Sequence, residues 1–119
     1  MIRAYRLYKG PDGNSHVVRG SINTAKLVDA QTIIFKETPL CSSNDWHNNP
    51  VPQYVLTLAG VVEFTTASGD AFTLYPGDVL VVENTGPAHK WRLIHDEPWK
   101  RAYVIFKEGV DTQFTPKLR

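Results

Sequence analysis

The chain has 119 residues, 13 Lys plus Arg against 12 Asp plus Glu, and a formal charge of +1. That length is one domain's worth and buries roughly two-thirds of the surface the unfolded chain exposes, enough for one core. The cations form no basic block, which argues against the clustered charge that nucleic-acid binding needs. The lone cysteine, Cys41, excludes an intrachain disulfide and suits a reducing compartment. The start "MIRAYRLYKG" is too polar for a signal peptide, and no apolar run approaches the ~18 residues of a membrane span. The expectation is a cytoplasmic domain with no nucleic-acid partner and no membrane.

Period-two alternation dominates from the first residues. "AYRLY" (4–8), "HVVRGSIN" (16–23) and "QTIIFKE" (31–37) read as strands rich in apolar and β-branched residues. Between the last two, "TAKLVDA" offers at most one helical turn, too short to be stable alone. "QYVLTLA" (53–59) and "VVEFTT" (61–66) follow, separated by Gly60. The turn signals "ASGD", "PGD" and "NTGP" then bracket "AFTLY" (71–75) and "VLVVE" (79–83). "HKWRLIH" (89–95) and "KRAYVIF" (100–106) close the series, and the tail from Glu108 reads as irregular. Short strands, frequent turns and no long helix pattern predict a closed sandwich or barrel. Alternation puts Val62 with Phe64 and Phe72 with Leu74 on shared faces, and "VLVVE" reads as covered on both sides.

Two clusters are candidates for chemistry. His47, Asn49 and Gln53 share parity, so an extended chain turns them to one face. Pro50 and Pro52 cannot donate ladder hydrogen bonds, which places this stretch at a rim. In the second cluster His89, Trp91 and Leu93 alternate with Lys90, Arg92 and Ile94, giving one aromatic, apolar face headed by a histidine. An imidazole titrates near neutrality and suits general acid or base work, so His47 and His89 are the catalytic candidates. The amides of Asn49 and Gln53 can orient a ligand, and Trp91 can wall a pocket. Asn49 also suits a turn beside Pro50, and Trp46 and Trp99 suit packing at barrel ends or a dimer contact. Glu83 either caps its turn or supplies an acid to the pocket, and Asp78 caps the "PGD" turn.

With these residues in place, residues 31–106 resemble a cupin, the small jelly-roll β-barrel. The first cupin motif matches His47, Asn49, Gln53 and Gly60 with its final spacing intact; the second runs from Gly77-Asp78 to His89, with Glu83 where the motif has proline. "WHNNPVPQYVLTLAG" and "PGDVLVVENTGPAHKWR" are similar to a set of small bacterial single-domain cupins, largely of unassigned function. The resemblance implies an all-β, single-domain double-stranded β-helix over residues 1–119, and a homodimer; "AYRLY" is a candidate for the contributed strand, unless such an edge is covered within one chain.

A full cupin site holds a divalent metal on three histidines and a glutamate. Here the second histidine position is Asn49 and the glutamate position is Gln53. An amide lacks the carboxylate's charge, so no tightly bound cofactor is expected. The resemblance then implies a small-molecule-binding barrel in which His47 and His89 serve acid or base chemistry on a small metabolite. The alternatives are a dioxygenase-type enzyme holding weakly bound Fe, Mn, Ni or Zn on His47, Gln53 and His89, and a sensor without turnover.

Overall fold

A computed structural model describes residues 1–39, 43–47, 51–83 and 89–117, with the backbone alone at 43–47 and 89. The strands are β1 (Ile2–Lys9), β2 (Ser15–Ile22), β3 (Thr32–Thr38), β4 (Ser43–His47), β5 (Gln53–Ala59) and β6 (Val62–Thr66). They continue as β7 (Ala71–Leu74), β8 (Val79–Val82), β9 (His89–Leu93), β10 (Trp99–Ile105) and β11 (Phe114–Pro116). One sheet has the order β11-β2-β1-β8-β5-β10-β3 and the other β4-β9-β6-β7.

Strands β3 to β10 wind as a jelly roll. Apart from the β6–β7 hairpin, successive strands pass between the sheets, so that β3, β10, β5 and β8 adjoin in one and β4, β9, β6 and β7 in the other. The all-β jelly-roll expectation is met by this strand order. Strands β1, β2 and β11 widen the first sheet. The β11 pairing with β2 corrects the reading of the tail: Phe114 to Pro116 are strand partners of Ile22 to Gly20. Tertiary pairing supplies order that the tail's own composition does not signal. Residues 24–30 form no helical turn among the described residues, in keeping with the length argument.

Two apolar clusters form on the two faces of the seven-stranded sheet. The inner one, between the sheets, holds Tyr5, Leu7, Val55, Leu80, Val82 and Trp99 against Val62, Phe64, Phe72 and Leu74 of the smaller sheet. The outer one holds Ala4, Tyr54, Val79, Val81 and Phe106, covered in part by Val28, Val110 and Phe114. β8 lies between them, with Leu80 and Val82 turned inward and Val79 and Val81 outward. That explains why its sequence is apolar on both parities.

Two turns fix the ends of the barrel strands. Gly60 sits at φ +87° where β5 hands over to β6, and a Cβ there would lie 2.6 Å from the Pro98 carbonyl oxygen. Only glycine meets both conditions without strain. In "PGD", Asp78 accepts the Tyr75 backbone N–H at 2.8 Å and takes a two-point ion pair from Arg3 at 2.9 and 2.8 Å. Asp78 thus caps its turn as read, and also clamps the start of β8 to β1. β1 is paired on both sides within the one chain, to β2 and to β8.

Candidate functional site

The site is built on the inner face of the barrel. Gln53 opens β5 and shares parity with Val55, which belongs to the inner cluster. Its strand partners are Val82 on one side and Ile105 on the other. Gln53 is 8% exposed, yet its side-chain amide makes no hydrogen bond to any described residue. A buried amide left without partners costs about 1–3 kcal/mol, and such groups in native structures call for a reason.

His47 ends β4 and His89 begins β9, and the two are direct cross-strand partners. The same position of β9 faces Thr66, at the end of β6. The strand order brings these two backbone positions together although they are far apart in sequence, as a two-motif site needs. Their side chains, and Asn49 as a whole, lie outside the described residues. So does Cys41.

Trp91 is half-buried and packs on the inner cluster, edge-on to Trp99 with ring centroids 5.1 Å apart. Leu93 joins the same cluster, while Arg92 reaches outward to Glu63 at 2.9 Å. The amphipathic reading of "HKWRLIH" is therefore correct from Trp91 to Leu93. Trp99 is core rather than a barrel-end residue: it is 1% exposed, and its indole N–H donates to Thr57 Oγ1 at 3.3 Å.

Glu83 stands apart from this group. It follows Val79 and Val81 in parity, on the outer face, where Arg6 donates to its two oxygens at 3.3 Å each. Thr112 Oγ1 adds a third contact at 3.4 Å. The placement of Glu83 among pocket residues is corrected on this ground. Its carboxylate is held by a cation on the far side of the sheet, so it does not replace the acid missing at Gln53.

Sequence reasoning missed the most unusual inner residue. Arg101 is 2% exposed, on the inner parity of β10 between Trp99 and Tyr103. Its guanidinium carbon stacks 3.8 Å above the Trp99 ring, with the Tyr103 ring centroid at 5.5 Å and that of Trp91 at 6.0 Å. Nε donates to the Tyr103 hydroxyl at 3.0 Å; Nη1 donates to Thr38 Oγ1 at 2.6 Å and to the Trp99 carbonyl at 3.2 Å. Arg101 keeps the parity of Trp99 and Tyr103; the register shift beside it puts Arg101 opposite Thr57 and Lys100 opposite Ala59, with Leu58 of β5 as the extra residue. The signal was present in "KRAYVIF": two adjacent cations in a strand cannot both face solvent.

Comparison with known proteins adds a structural likeness. No family model and no curated protein matches the chain. Among solved structures it is similar to the crystal structure of a DUF861 family protein from Thermotoga maritima, at 28% identity and a TM-score of 0.47. That likeness covers 63% of this chain and 77% of the other.

Among the described residues no three His, Cys, Asp or Glu side chains gather in a metal-binding group. No helix among them is long and apolar enough to cross a membrane.

Proposed function

We propose that the chain is a cupin whose barrel binds a small metabolite at the Gln53 end of its inner face. One observation carries the reading: the Gln53 amide is buried on the inner face with no hydrogen-bond partner among the described residues. A ligand that pairs with both ends of the amide recovers what folding leaves unmatched. The register partnership of His47 with His89 supports a site with two imidazoles at that rim. In this reading one histidine moves a proton to or from the bound metabolite, and Trp91 forms part of the wall.

The donor set fits a divalent metal poorly. Two imidazoles and a neutral amide carry no charge toward a cation, and Glu83 is committed to Arg6 on the opposite face. The reading includes a homodimer, supported by the edge strand β3, where Ile33, Ile34 and Phe35 are exposed.

Chelator-treated protein is screened by thermal shift against a panel of neutral and anionic metabolites. The expected result is a compound that raises Tm in wild type but not in Gln53→Leu, with His47→Ala and His89→Ala weakening it. The reading fails if no compound binds, or if all three variants bind like wild type. Near-stoichiometric iron, manganese, nickel or zinc in protein purified without chelator overturns the metal-free part.

A further inference from the structure

Arg101 carries a charge that the described residues do not neutralise. No carboxylate among them lies within ion-pair distance of its guanidinium, although the residue is 2% exposed. A guanidinium has five N–H donors. Nε and Nη1 are engaged by Tyr103, Thr38 and the Trp99 carbonyl, all neutral oxygens. Nη2 has no acceptor among the described residues. The aromatic faces of Trp99, Trp91 and Tyr103 soften the loss of water without supplying a counter-charge. Burying an ion is costly unless it is both paired and hydrogen-bonded.

Tyr103 completes the pattern. Its oxygen accepts the Nε–H, which leaves its own O–H free to donate on the same edge of the guanidinium. Donors on Nη2 and on Tyr103 thus lie side by side, without an acceptor among the described residues. Trp91 and Tyr103 are only half-buried, so the cage opens on their side rather than into solid core. Along the sheet, Arg101 lies opposite Thr57 and Gln53 lies opposite Ile105, both on the inner face. Four residues of strand separate the two groups, roughly 13 Å between backbones.

We infer that Arg101 and Tyr103 form an anion subsite that holds the carboxylate of the metabolite bound in this barrel. The inference rests on the binding function proposed above and narrows its ligand to a carboxylic acid. A carboxylate carries one negative charge and so neutralises one guanidinium; a phosphate dianion would leave a buried excess. Its two oxygens match an array of Nη2–H and Tyr O–H donors. Lysine does not substitute, because a point charge cannot stack on Trp99 while donating along the Tyr103 edge.

The test follows the side-chain Nε–H resonance of Arg101 by NMR in the intact chain, assigned by its loss in Arg101→Lys. Acetate, succinate and benzoate are each titrated beside their neutral amides, with inorganic phosphate as a separate arm. At least one carboxylate is expected to shift the resonance saturably while its amide does not. Tyr103→Phe, which keeps the ring and the packing, should weaken that binding about tenfold, one hydrogen bond to a charged group. Arg101→Lys, which removes the reporting resonance, should abolish the rise in Tm that the same carboxylate gives wild type, with the circular dichroism spectrum unchanged. Three results overturn the inference: acid and amide acting alike, no carboxylate moving the resonance, or phosphate binding where carboxylates do not. A neutral, Gln53-dependent ligand from the thermal-shift panel that leaves Arg101 unmoved refutes the anion subsite but preserves the binding function. A carboxylate that moves Arg101 but is indifferent to Gln53→Leu does the reverse.

Discussion

The two faces of the seven-stranded sheet treat their polar groups in opposite ways. On the outer face the Tyr54 hydroxyl donates to the Thr112 carbonyl at 2.7 Å, and Glu83 is matched by Arg6 and Thr112. On the inner face the Gln53 amide and Nη2 of Arg101 have no partner among the described residues. Both faces are apolar and both bury aromatic rings. The difference is that the outer face is finished by the chain's own loops and tail, whereas the inner face keeps donors and acceptors in reserve. Unmatched buried polar groups lower stability, and among the described residues the two on the inner face are the ones the proposed ligand site accounts for.

The largest test of that contrast is Trp99→Ala. Trp99 packs edge-on against Phe64 and Trp91 and carries the Arg101 guanidinium. Its loss should cost about 3–5 kcal/mol, read from urea unfolding. A cost below about 1 kcal/mol would break the assignment of the main core to the inner face.

On the outer face Tyr54→Phe should cost about 1–2 kcal/mol, because the Thr112 carbonyl loses its donor. It should also change the response to alkali. Burial, aided by the negative charges of Asp111 and Glu83, pushes the Tyr54 hydroxyl up to about 12. In the unfolded chain it ionises near 10, so the folded state favours the neutral phenol. That contribution is complete below about pH 10 and is lost as pH rises through about 12. Wild type should therefore lose Tm more steeply than Tyr54→Phe across this window.

Gln53→Leu should go the other way. Replacing an unmatched buried amide by an apolar side chain of similar size should stabilise the ligand-free protein by about 1 kcal/mol. A destabilised Gln53→Leu would mean that the amide is already satisfied, and the contrast between the faces would collapse. The smallest effect is expected at Arg92→Ala. Its pair with Glu63 is exposed on the outside of the smaller sheet, so stability should change by about 0–0.5 kcal/mol in a denaturant titration.

The strands of the jelly roll were legible because each buries one parity of its side chains. Val62, Phe64, Phe72 and Leu74 could be placed on the core face from alternation alone, and they lie there. β8 was legible as covered on both sides for the same reason. β11 was not: Phe114 to Pro116 have no alternation of their own and are ordered by β2. At the candidate site the sequence pointed to Gln53 and Trp91 as inward-facing, and both are. It did not separate Glu83 from them, because a residue just past a strand's end continues its parity toward whichever face the partner cation occupies. Here that cation is Arg6, 77 residues away in sequence.

By itself, then, the sequence determined the all-β class, the turn chemistry at Gly60 and Asp78, and the inward parity of most core residues. These depend on local geometry, which a single strand or turn already contains. Only the tertiary structure decided that His47 and His89 are cross-strand partners, that Glu83 belongs to the outer face, and that Arg101 is buried with no carboxylate beside it among the described residues. Each of those facts is a relation between residues far apart in the chain. Strand order and register set such relations, and no local pattern encodes them.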